Sequence, residues 1–397
     1  MTKFDVVIVG GAITGSVLAL ALSSVSQHKM QIAIVEKSQA NYAEQGGFDA
    51  RSIALAYGSL QKLAKIQPLT SENLAQVVEN IATDIQQIHV SDQTHFGKTT
   101  IKASELKLSK LGAVVELAKF GEKLAKVIEQ HANITIFCPD TVAKIERTQD
   151  ECILTLSSQQ QISSQLIVAA DGIQSQIAEQ CGVSTQFIRD YQQSAIIANV
   201  ELAEAHLGRA FERFTPQGPF ALLPLTEKTM SLVWCVKDPS EAMDYDDSTF
   251  LQALQQQFGW KLGKFLRVSK RFIYPLSSQK TESHIHHRLA IVGNASQLLH
   301  PVAGQGFNLG MRDLFELANL LGQAFNQGQD LGSFELLSQF DKNRQVDQTR
   351  IIQSTSGLIS IFCCEFLPIQ AARNIGLMAL SHLPLARNLV AQRALGW

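Results

Sequence analysis

The feature of this sequence that most constrains its fold is a glycine-rich turn between two apolar segments near the amino terminus. Lys3–Val9 is predicted to form a strand, Gly10–Gly15 a tight turn, and Ser16–Ser26, which is rich in Ala and Leu, a helix. Met30–Glu36 is predicted to form a second strand. This order predicts a β-α-β unit, and with it an α/β protein.

The glycine spacing in this unit is typical of dinucleotide binding. Gly10 permits the sharp turn from strand to helix, and Gly15 permits close packing of the helix on the strand. The free N–H groups and the positive dipole end of the helix suit a pyrophosphate. Glu36 is placed to accept hydrogen bonds from ribose hydroxyls. The residues predicted to bind the cofactor here are Gly10, Gly11, Ala12, Ile13, Thr14, Gly15, Glu36 and Lys37.

One residue departs from the usual glycine pattern. Ala12 stands where a middle glycine is expected, so a methyl group lies where a phosphate should approach the backbone. The neighbouring Gly11 supplies part of the lost freedom. The motif by itself does not separate NAD from FAD.

The scarcity and the placement of charge narrow the class of protein. Charged residues make up 18% of the chain, and the formal net charge is −2. Nucleic acid is therefore not expected as a partner, because no basic field is present to collect phosphates. Three runs lack Asp, Glu, Lys and Arg: Val6–Gln27, Cys152–Ala170 and Leu289–Met311. Glycines and polar residues interrupt all three, so they are interpreted as buried strands and loops, not as membrane spans or a signal peptide.

Neither the cysteines nor the histidines form a metal-binding pattern. The six cysteines include no C-x-x-C pair, which favours reduced thiols in a cytoplasmic protein. His284, His286 and His287 lie close together, but no acid or cysteine accompanies them at metal-ligand spacing. No metal is predicted.

The predicted secondary structure of the rest of the chain changes from mixed helix and strand to mostly strand, and then to mostly helix. Ala113–Gln130 is predicted to form a helix, and residues 194–276 are mostly strand and hairpin, interrupted by one helix at Ser248–Phe258. Phe307–Asn326 is predicted to form a long helix. The tail from Ser338 is predicted to be helical, with breaks at Pro368 and Pro384.

Two further segments have the strand-to-turn pattern of a ligand-binding site. Leu166–Ala170 is a predicted strand that leads into Asp171 and Gly172, followed by a helix start. Leu289–Val292 is a predicted buried strand, followed by a polar turn, a His-Pro kink and a Gly-Gln-Gly loop that opens the long helix. Such a loop presents bare backbone amides and a helix N-terminus to a ligand.

With these three segments in order, the chain resembles the aromatic-ring flavin monooxygenases typified by p-hydroxybenzoate hydroxylase. The resemblance implies that the first segment binds the ADP half of FAD, that Asp171 and Gly172 touch FAD and the reducing nicotinamide, and that the late segment holds the ribitol and the flavin. Arg51, in the sequence Phe-Asp-Ala-Arg, is implied to lie beside the flavin. The late residues implied to bind FAD are Asn294, Gly304, Gln305, Gly306, Phe307 and Asn308.

Within that family the chain is most similar to the ubiquinone-biosynthesis hydroxylases, and among them to the 2-octaprenyl-6-methoxyphenol hydroxylase branch. The similarity extends over essentially the whole chain. The segments that carry it are residues 209–215, 231–235, 258–263, 293–297, 373–378 and 391–397. Two departures remain: Asn294 replaces a common Asp, and Ala178 replaces an Arg that in the family bears on how the phosphates of the nicotinamide cofactor are held.

The resemblance implies a reaction cycle and its substrates. NAD(P)H acts as a transient reductant of FAD, O2 adds at the flavin C4a, and the hydroperoxide passes OH to a hydrophobic prenylated phenol. His300 and Pro301 are the candidate catalytic residues near the phenol hydroxyl; the alternative for His300 is a hydrogen-bonded turn residue. Phe211, Phe214, Phe220 and Trp234 form either a roof that excludes water or simple core.

The implied architecture is α/β: an FAD-binding Rossmann-like domain with an inserted mixed β-sheet substrate domain and a helical C-terminal tail. The predicted domains are residues 1–70, 99–180 and 288–345 for FAD, 71–98 and 181–287 for substrate, and 346–397 for the C-terminal helices.

Alternatives stay open for both the activity and the tail. The activity alternatives are hydroxylation of another phenol, flavin reduction, and a flavoprotein assembly subunit that binds other quinone-biosynthesis proteins. The charge-poor residues 351–397 form either helices packed on the core or in a homo-oligomer interface, or a peripheral contact at the inner face of the membrane.

Overall fold

The computed structural model describes residues 1–42, 47–49, 51–93, 95–364 and 366–395. The strands in these ranges are β1 (Thr2–Val9), β2 (Ile32–Val35), β3 (Ser52–Ala56), β4 (Ala82–Ile85), β5 (Gln87–Asp92), β6 (Lys98–Lys102), β7 (Gly112–Glu116), β8 (Ile134–Phe137), β9 (Val142–Arg147), β10 (Cys152–Leu156), β11 (Gln161–Ala169), β12 (Thr185–Leu202), β13 (Arg209–Thr215), β14 (Gly218–Thr226), β15 (Thr229–Val236), β16 (Phe265–Val268), β17 (Phe272–Thr281), β18 (Ile285–His286), β19 (Leu289–Ile291) and β20 (Gln297–Leu298).

The helices pack on the faces and the ends of the sheets that these strands form. They are α1 (Ile13–Val25), α2 (Tyr57–Leu63), α3 (Leu74–Glu79), α4 (Leu117–Ile128), α5 (Gln176–Gln180), α6 (Ser240–Asp244), α7 (Asp247–Phe258), α8 (Gln305–Asn326), α9 (Phe334–Phe362), α10 (Leu367–His382) and α11 (Pro384–Ala394). Short 3-10 turns occupy Gly293–Ala295 and Val302–Gly304.

The first sheet is largely parallel and confirms the predicted β-α-β unit. Its order is β18-β19-β11-β1-β2-β8, with β9 and β10 attached in antiparallel fashion beside β11. The strands β19, β11, β1, β2 and β8 run parallel, so their carboxyl ends lie at one edge. The centre of this sheet is covered on both faces, since Val6, Val7 and Ile8 are fully buried. Strand segments covered on both faces are poor in charged residues, which accounts for the strand portions of the charge-free runs.

The second sheet is mixed and confirms the predicted strand-rich region. Its order is β20-β17-β12-β15-β14-β13-β5-β6, with β16 paired to β12. Neighbouring strands are antiparallel except for β5 and β13, which are parallel. The helix α7 covers one face, where Phe211, Phe220 and Trp234 pack against Phe250 and Phe258. Those three aromatic side chains are therefore core of the second sheet, and their interpretation as a roof is wrong.

A three-stranded antiparallel sheet of β3, β7 and β4 was not foreseen. Its strand β7 occupies the start of the segment predicted to form the helix Ala113–Gln130; the helix begins only at Leu117. Every residue of β7 is buried. A strand buried on both faces shows no polar alternation, so its sequence pattern cannot be distinguished from that of a buried helix.

The C-terminal helices dock on the end of β5 through a buried arginine. Arg373 donates to the Asp92 carboxylate at 2.8 and 3.3 Å. It also donates to the carbonyl groups at the end of α9, and Asn374 donates to Asp92 at 2.9 Å. The predicted breaks are confirmed: Pro368 lies in the first turn of α10, and α11 begins at Pro384. The final residues of the tail motif, Gly396 and Trp397, lie outside the described residues.

Candidate functional site

Turns from three neighbouring parallel strands meet at the carboxyl edge of the first sheet. The register places Val9 of β1 beside Ala169 of β11, and Ala169 beside Ile291 of β19. The backbone after each strand therefore opens at the same edge, where open α/β sheets bind their ligands. The turn after β1 touches the end of β11 closely: Gly10 has a φ of +103°, and a Cβ there would lie 2.4 Å from the Ala170 carbonyl oxygen.

The start of α1 offers backbone N–H groups that no side chain caps. Gly15 lies against the Gly10 carbonyl, since a Cβ on Gly15 would be 1.9 Å from that oxygen. Ala12 is the N-cap residue, and its methyl group cannot accept a hydrogen bond. The N–H groups of Ile13 and Thr14 in the first turn have no partner within the helix. Ala12 is exposed with a φ of −65°, so this turn itself does not require a glycine there.

Glu36 lies against the same turn. Its Oε2 accepts a hydrogen bond from the Gly11 N–H at 2.7 Å, and its Oε1 accepts from the Ser38 N–H at 3.1 Å. Lys37 beside it is exposed. The structure thus brings the acid at the end of β2 to the glycine turn, as the motif requires, while its contact with a ribose stays a prediction.

Asp171 and Gly172 follow β11 with different environments. The Asp171 carboxylate accepts from the Ser175 hydroxyl at 2.5 Å and from the Ile177 N–H at 3.3 Å, so it stabilises the start of α5. Gly172 has a φ of +87°, and a Cβ there would meet nothing within 4 Å. Ala178 is buried on α5, where an arginine side chain has no space.

The turn after β19 is wedged between the two long helices of the site. A Cβ at Gly293 would lie 2.9 Å from Thr14 Cγ2, and a Cβ at Gly310 would lie 3.1 Å from the Gly293 Cα. This turn therefore touches the start of α1 on one side and the first part of α8 on the other. Asn294 is exposed, while Gly293 and Ala295 are buried.

Asp313 anchors this turn, and sequence reasoning did not identify it. The side chain is fully buried, and its Oδ2 accepts from the Gly293 N–H at 3.1 Å and from Gln297 Nε2 at 3.3 Å. Its Oδ1 accepts from Arg344 Nε of α9 at 2.7 Å. Burial raises the pKa of Asp313, and the Arg344 guanidinium opposes that rise. The sequence signal that could have identified Asp313 is its position, with Arg312, directly after the charge-free run Leu289–Met311.

The start of α8 is held to the β3 segment by one side chain. Asn308 is buried; its Oδ1 accepts from the Ala56 N–H and from Ser59 Oγ, both at 2.8 Å. Its Nδ2 donates to the carbonyls of Ala54 at 2.9 Å and Gly304 at 2.7 Å. These four bonds make its side chain a clamp within the protein, so any contact of Asn308 with a cofactor would involve its backbone.

The remaining residues of this helix start leave one side open. Gly304 is the N-cap with a φ of +61°, and a Cβ at Gly306 would meet nothing within 4 Å. Gln305 is buried, and Phe307 is half-buried against the core of the first sheet. The first turn of α8 therefore presents backbone to open space on the Gly306 side.

Arg51 directly precedes β3 of the three-stranded sheet and contacts β17 of the second sheet. It is exposed, and its Nη1 lies 3.4 Å from the Tyr274 hydroxyl of β17. The preceding segment also contacts the second sheet, since Asn199 Nδ2 donates to the Phe48 carbonyl at 2.8 Å and the Arg267 guanidinium lies 4.0 Å from the Phe48 ring centre. Ala50 lies outside the described residues.

His300 is fully buried, and both of its ring nitrogens are engaged. Nδ1 accepts from the Val302 N–H at 3.2 Å, which makes Nε2 the protonated nitrogen that donates to Gln193 Oε1 at 3.2 Å. Burial, aided by the charge of Arg189, lowers the pKa of His300 to about 4. It is a neutral turn residue that shapes the segment beginning at Pro301, and the catalytic role of both residues stays a prediction.

The donor set fits a dinucleotide with a flat ring system. Two helices whose starts have no side-chain caps, α1 and α8, both touch the Gly293 turn, α1 through Thr14 and α8 through Gly310. Gly172 and Gly306 leave open space beside them, which a side chain would fill. Within the described ranges, no group of three or more His, Cys, Asp or Glu side chains is arranged to hold a metal ion.

Comparisons with known proteins agree with this geometry. The family described as "FAD binding domain" matches residues 3–355. The chain is 30% identical to ubiquinone hydroxylase UbiL of Rhodospirillum rubrum, over 99% of this chain and 89% of the relative. It is 28% identical to 3-demethoxyubiquinol 3-hydroxylase of Escherichia coli, over 99% and 98%. The crystal structure of p-nitrophenol 4-monooxygenase PnpA from Pseudomonas putida DLL-E4 superposes with a TM-score of 0.81 at 15% identity, over 100% and 99%.

Proposed function

Because this chain belongs to the FAD-binding family that matches it over residues 3–355, we propose that it hydroxylates a polyprenyl-methoxyphenol ring in ubiquinone biosynthesis, with NAD(P)H and O2 as co-substrates. The observation that carries the proposal is the Gly293 turn, which touches Thr14 at the uncapped start of α1 and Gly310 in the second turn of α8, whose own start is also uncapped. Its full-length similarity to ubiquinone hydroxylases supports the substrate class.

The protein's contribution is to bind and to orient. Bound FAD would supply hydride acceptance and oxygen transfer. The backbone N–H groups at Ile13 and Thr14 would hold the pyrophosphate, since the positive end of α1 favours negative charge. The start of α8 at Gly304–Gly306 would favour negative charge on a ring system in the same way. Asp313 fixes the intervening turn through its bond to the Gly293 N–H.

The second sheet would provide the substrate side. We assign the phenol to the space between Arg51 and the Pro301 turn, where β17 places Tyr274 opposite β3. His300 positions that turn and stays neutral at physiological pH. A phenol is most reactive toward an electrophilic oxygen as its phenolate. The Val302 N–H of the Pro301 turn donates to His300 Nδ1, and the Gly304 N–H donates to the Pro301 carbonyl. The Ala303 N–H would therefore be the donor to the phenolate oxygen.

The C-terminal helices supply a surface suited to a prenyl tail. Large apolar side chains are exposed on α10 and α11, among them Leu367, Leu385 and Leu389. Arg387 on the same section is largely buried and pairs with Glu105 at 2.7 Å, so the exposed surface is apolar. No single helix of the described chain is long and apolar enough to cross a bilayer; α9 and α10 pass that test only as a pair bent by 115°. We propose peripheral contact with the membrane, where an octaprenyl-type substrate dissolves.

The test begins with the purified protein. A visible flavin spectrum is expected, together with NADH or NADPH oxidation that a prenylated methoxyphenol stimulates and that yields a product with one added oxygen atom. The matched control is the same methoxyphenol without its prenyl chain, and H2O2 formation measures uncoupled oxidation. Absence of bound flavin would overturn the proposal. Bound flavin without phenol-stimulated oxidation would favour another substrate or an assembly subunit.

A further inference from the structure

A group of cationic side chains lies on the face of the second sheet that carries α7, at its β13–β5–β6 edge. Strand register aligns three rows across these strands: Arg213, Ser91 and Lys98; Phe211, His89 and Thr100; Arg209, Gln87 and Lys102. Paired residues point to one face, and so do alternate residues along a strand. The two outer rows are therefore positively charged, and the middle row is a neutral floor.

Lys261, from the segment after α7, lies over this floor. Its Nζ is 2.6 Å from His89 Nε2, and His89 Nδ1 is 3.0 Å from Thr100 Oγ1. The imidazole is thus neutral and accepts from the lysine. Burial, together with the charges of Lys261, Lys98 and Arg213, lowers the pKa of His89 to about 4.

The side chains line a solvent-open cavity of about 250 Å³. Its lining residues are Gln87, His89, Thr100, Arg209, Phe211 and Lys261. This volume accommodates a small group and not a flavin. The cavity lies on the face opposite to Phe214, whose ring packs against Val302 of the turn in the candidate site. It is therefore separate from the proposed cofactor site.

These cations lack acidic partners. Among the described residues, no carboxylate forms an ion pair with Lys98, Arg209, Arg213 or Lys261, and Arg213 Nε is buried without a hydrogen-bond acceptor. The acid whose charge reaches Arg213 is Asp92, which is already bound by Arg373 and Asn374. Like charges gathered without a counter-charge repel one another, and a bound anion removes that cost.

We propose that this cavity, which we call the Lys261 site, binds a phosphate group. Arg209 of β13 and Lys261 of the segment after α7 line it, and Thr100 and Gln87 add neutral hydrogen-bonding groups. Lys98 of β6 lies near enough for its charge to act on His89 of the same lining. Arginine and lysine are the side chains that hold phosphate through charge-assisted hydrogen bonds. The phosphate is supplied either free in solution or by a phospholipid headgroup.

The test uses the full-length protein titrated with inorganic phosphate and followed by calorimetry and by the fluorescence of Trp260, which is 71% exposed beside Lys261. Saturable binding is expected. Lys261→Gln and Lys98→Gln, both at exposed positions, should each weaken it roughly tenfold or more, the loss of one charge-assisted contact. Lys264→Gln, which removes the same charge three residues away, should leave binding within about twofold, and all variants should retain the wild-type melting temperature.

Two results would overturn the proposal: absence of phosphate binding to the wild-type protein, or equal weakening in the Lys261, Lys98 and Lys264 variants. Vesicles of phosphatidylcholine with and without phosphatidic acid identify the source. Binding to phosphatidic acid vesicles that is lost in Lys261→Gln and competed by soluble phosphate assigns the site to a headgroup. Phosphate binding without vesicle binding assigns it to a soluble phosphate. Flavin content should be unchanged in every variant, which keeps this test independent of the proposed hydroxylation.

Discussion

Gly306→Val separates a glycine needed by a ligand from glycines needed by the fold. A Cβ at Gly306 would meet no protein atom within 4 Å, whereas a Cβ at Gly15 would lie 1.9 Å from a backbone oxygen and one at Gly293 would lie 2.9 Å from Thr14. The apoprotein therefore has room for the valine. A cofactor that approaches the start of α8 would collide with the valine side chain.

The two effects differ in size. Valine has a slightly better helix propensity than glycine, so the free energy of unfolding of the apoprotein should change by less than about 0.5 kcal/mol. Additional methyl groups forced into a packed contact cost about 1–3 kcal/mol. The dissociation constant for FAD should accordingly rise about 5- to 150-fold.

The assay removes FAD, measures rebinding by the quenching of flavin fluorescence, and records the thermal melting of the apoprotein. Gly357→Val is the matched control, because Gly357 lies within α9 and a Cβ there also meets nothing within 4 Å. It should bind FAD as the wild type does. Wild-type FAD affinity in Gly306→Val, with an intact fold, would refute the assignment of the α8 start to the cofactor.

Three further changes probe the surroundings of the site. Arg344→Leu leaves the buried Asp313 carboxylate without its counter-charge, so we expect a loss of about 3–5 kcal/mol in urea unfolding, together with weaker flavin retention; unchanged stability would contradict the role of this pair. Arg373→Leu should release the C-terminal helices from Asp92, which limited proteolysis would detect as early cleavage after α9 while the flavin stays bound. The pKa of His300 is lowered to about 4, so the unfolded chain takes up a proton at higher pH than the folded protein does. Stability should fall as the pH drops from about 6.5 to about 4, by on the order of 3 kcal/mol, and His300→Gln should remove that part of the pH dependence.

The sequence predicted those parts of the fold whose chemistry is local. Gly10 and Gly15 fix a turn and a close contact within one β-α-β unit, and both are found where the spacing predicts. The prolines at 368 and 384 likewise start helices because their missing N–H groups suit a first turn. Each of these features depends on neighbours within a few residues.

Features that depend on distant partners were not predictable from the same patterns. The strand at Gly112–Glu116 is defined by pairing with β3 and β4, which no local periodicity reveals. Asp313 was passed over because its role comes from Arg344, which lies on another helix. Asn308 was assigned to the cofactor by its place in a motif, while three of its four side-chain partners lie far away in the sequence, within residues 54–59.

The turn that follows β19 also restricts how this protein can be recombined with its relatives. Its first residue, Gly293, packs against α1, but four residues later Gln297 and Leu298 pair with Lys280 and Gln279 of β17 as the edge of the second sheet. A chimera that exchanges the second sheet at a junction near residue 287 would join a foreign β17 to a native β20. A junction placed beyond Leu298 would instead replace the Gly293 turn with that of the relative, which would then have to fit the native α1 and Asp313. A graft that folds must therefore exchange this short segment together with both of its contacts, β17 on one side and the start of α1 with Asp313 on the other.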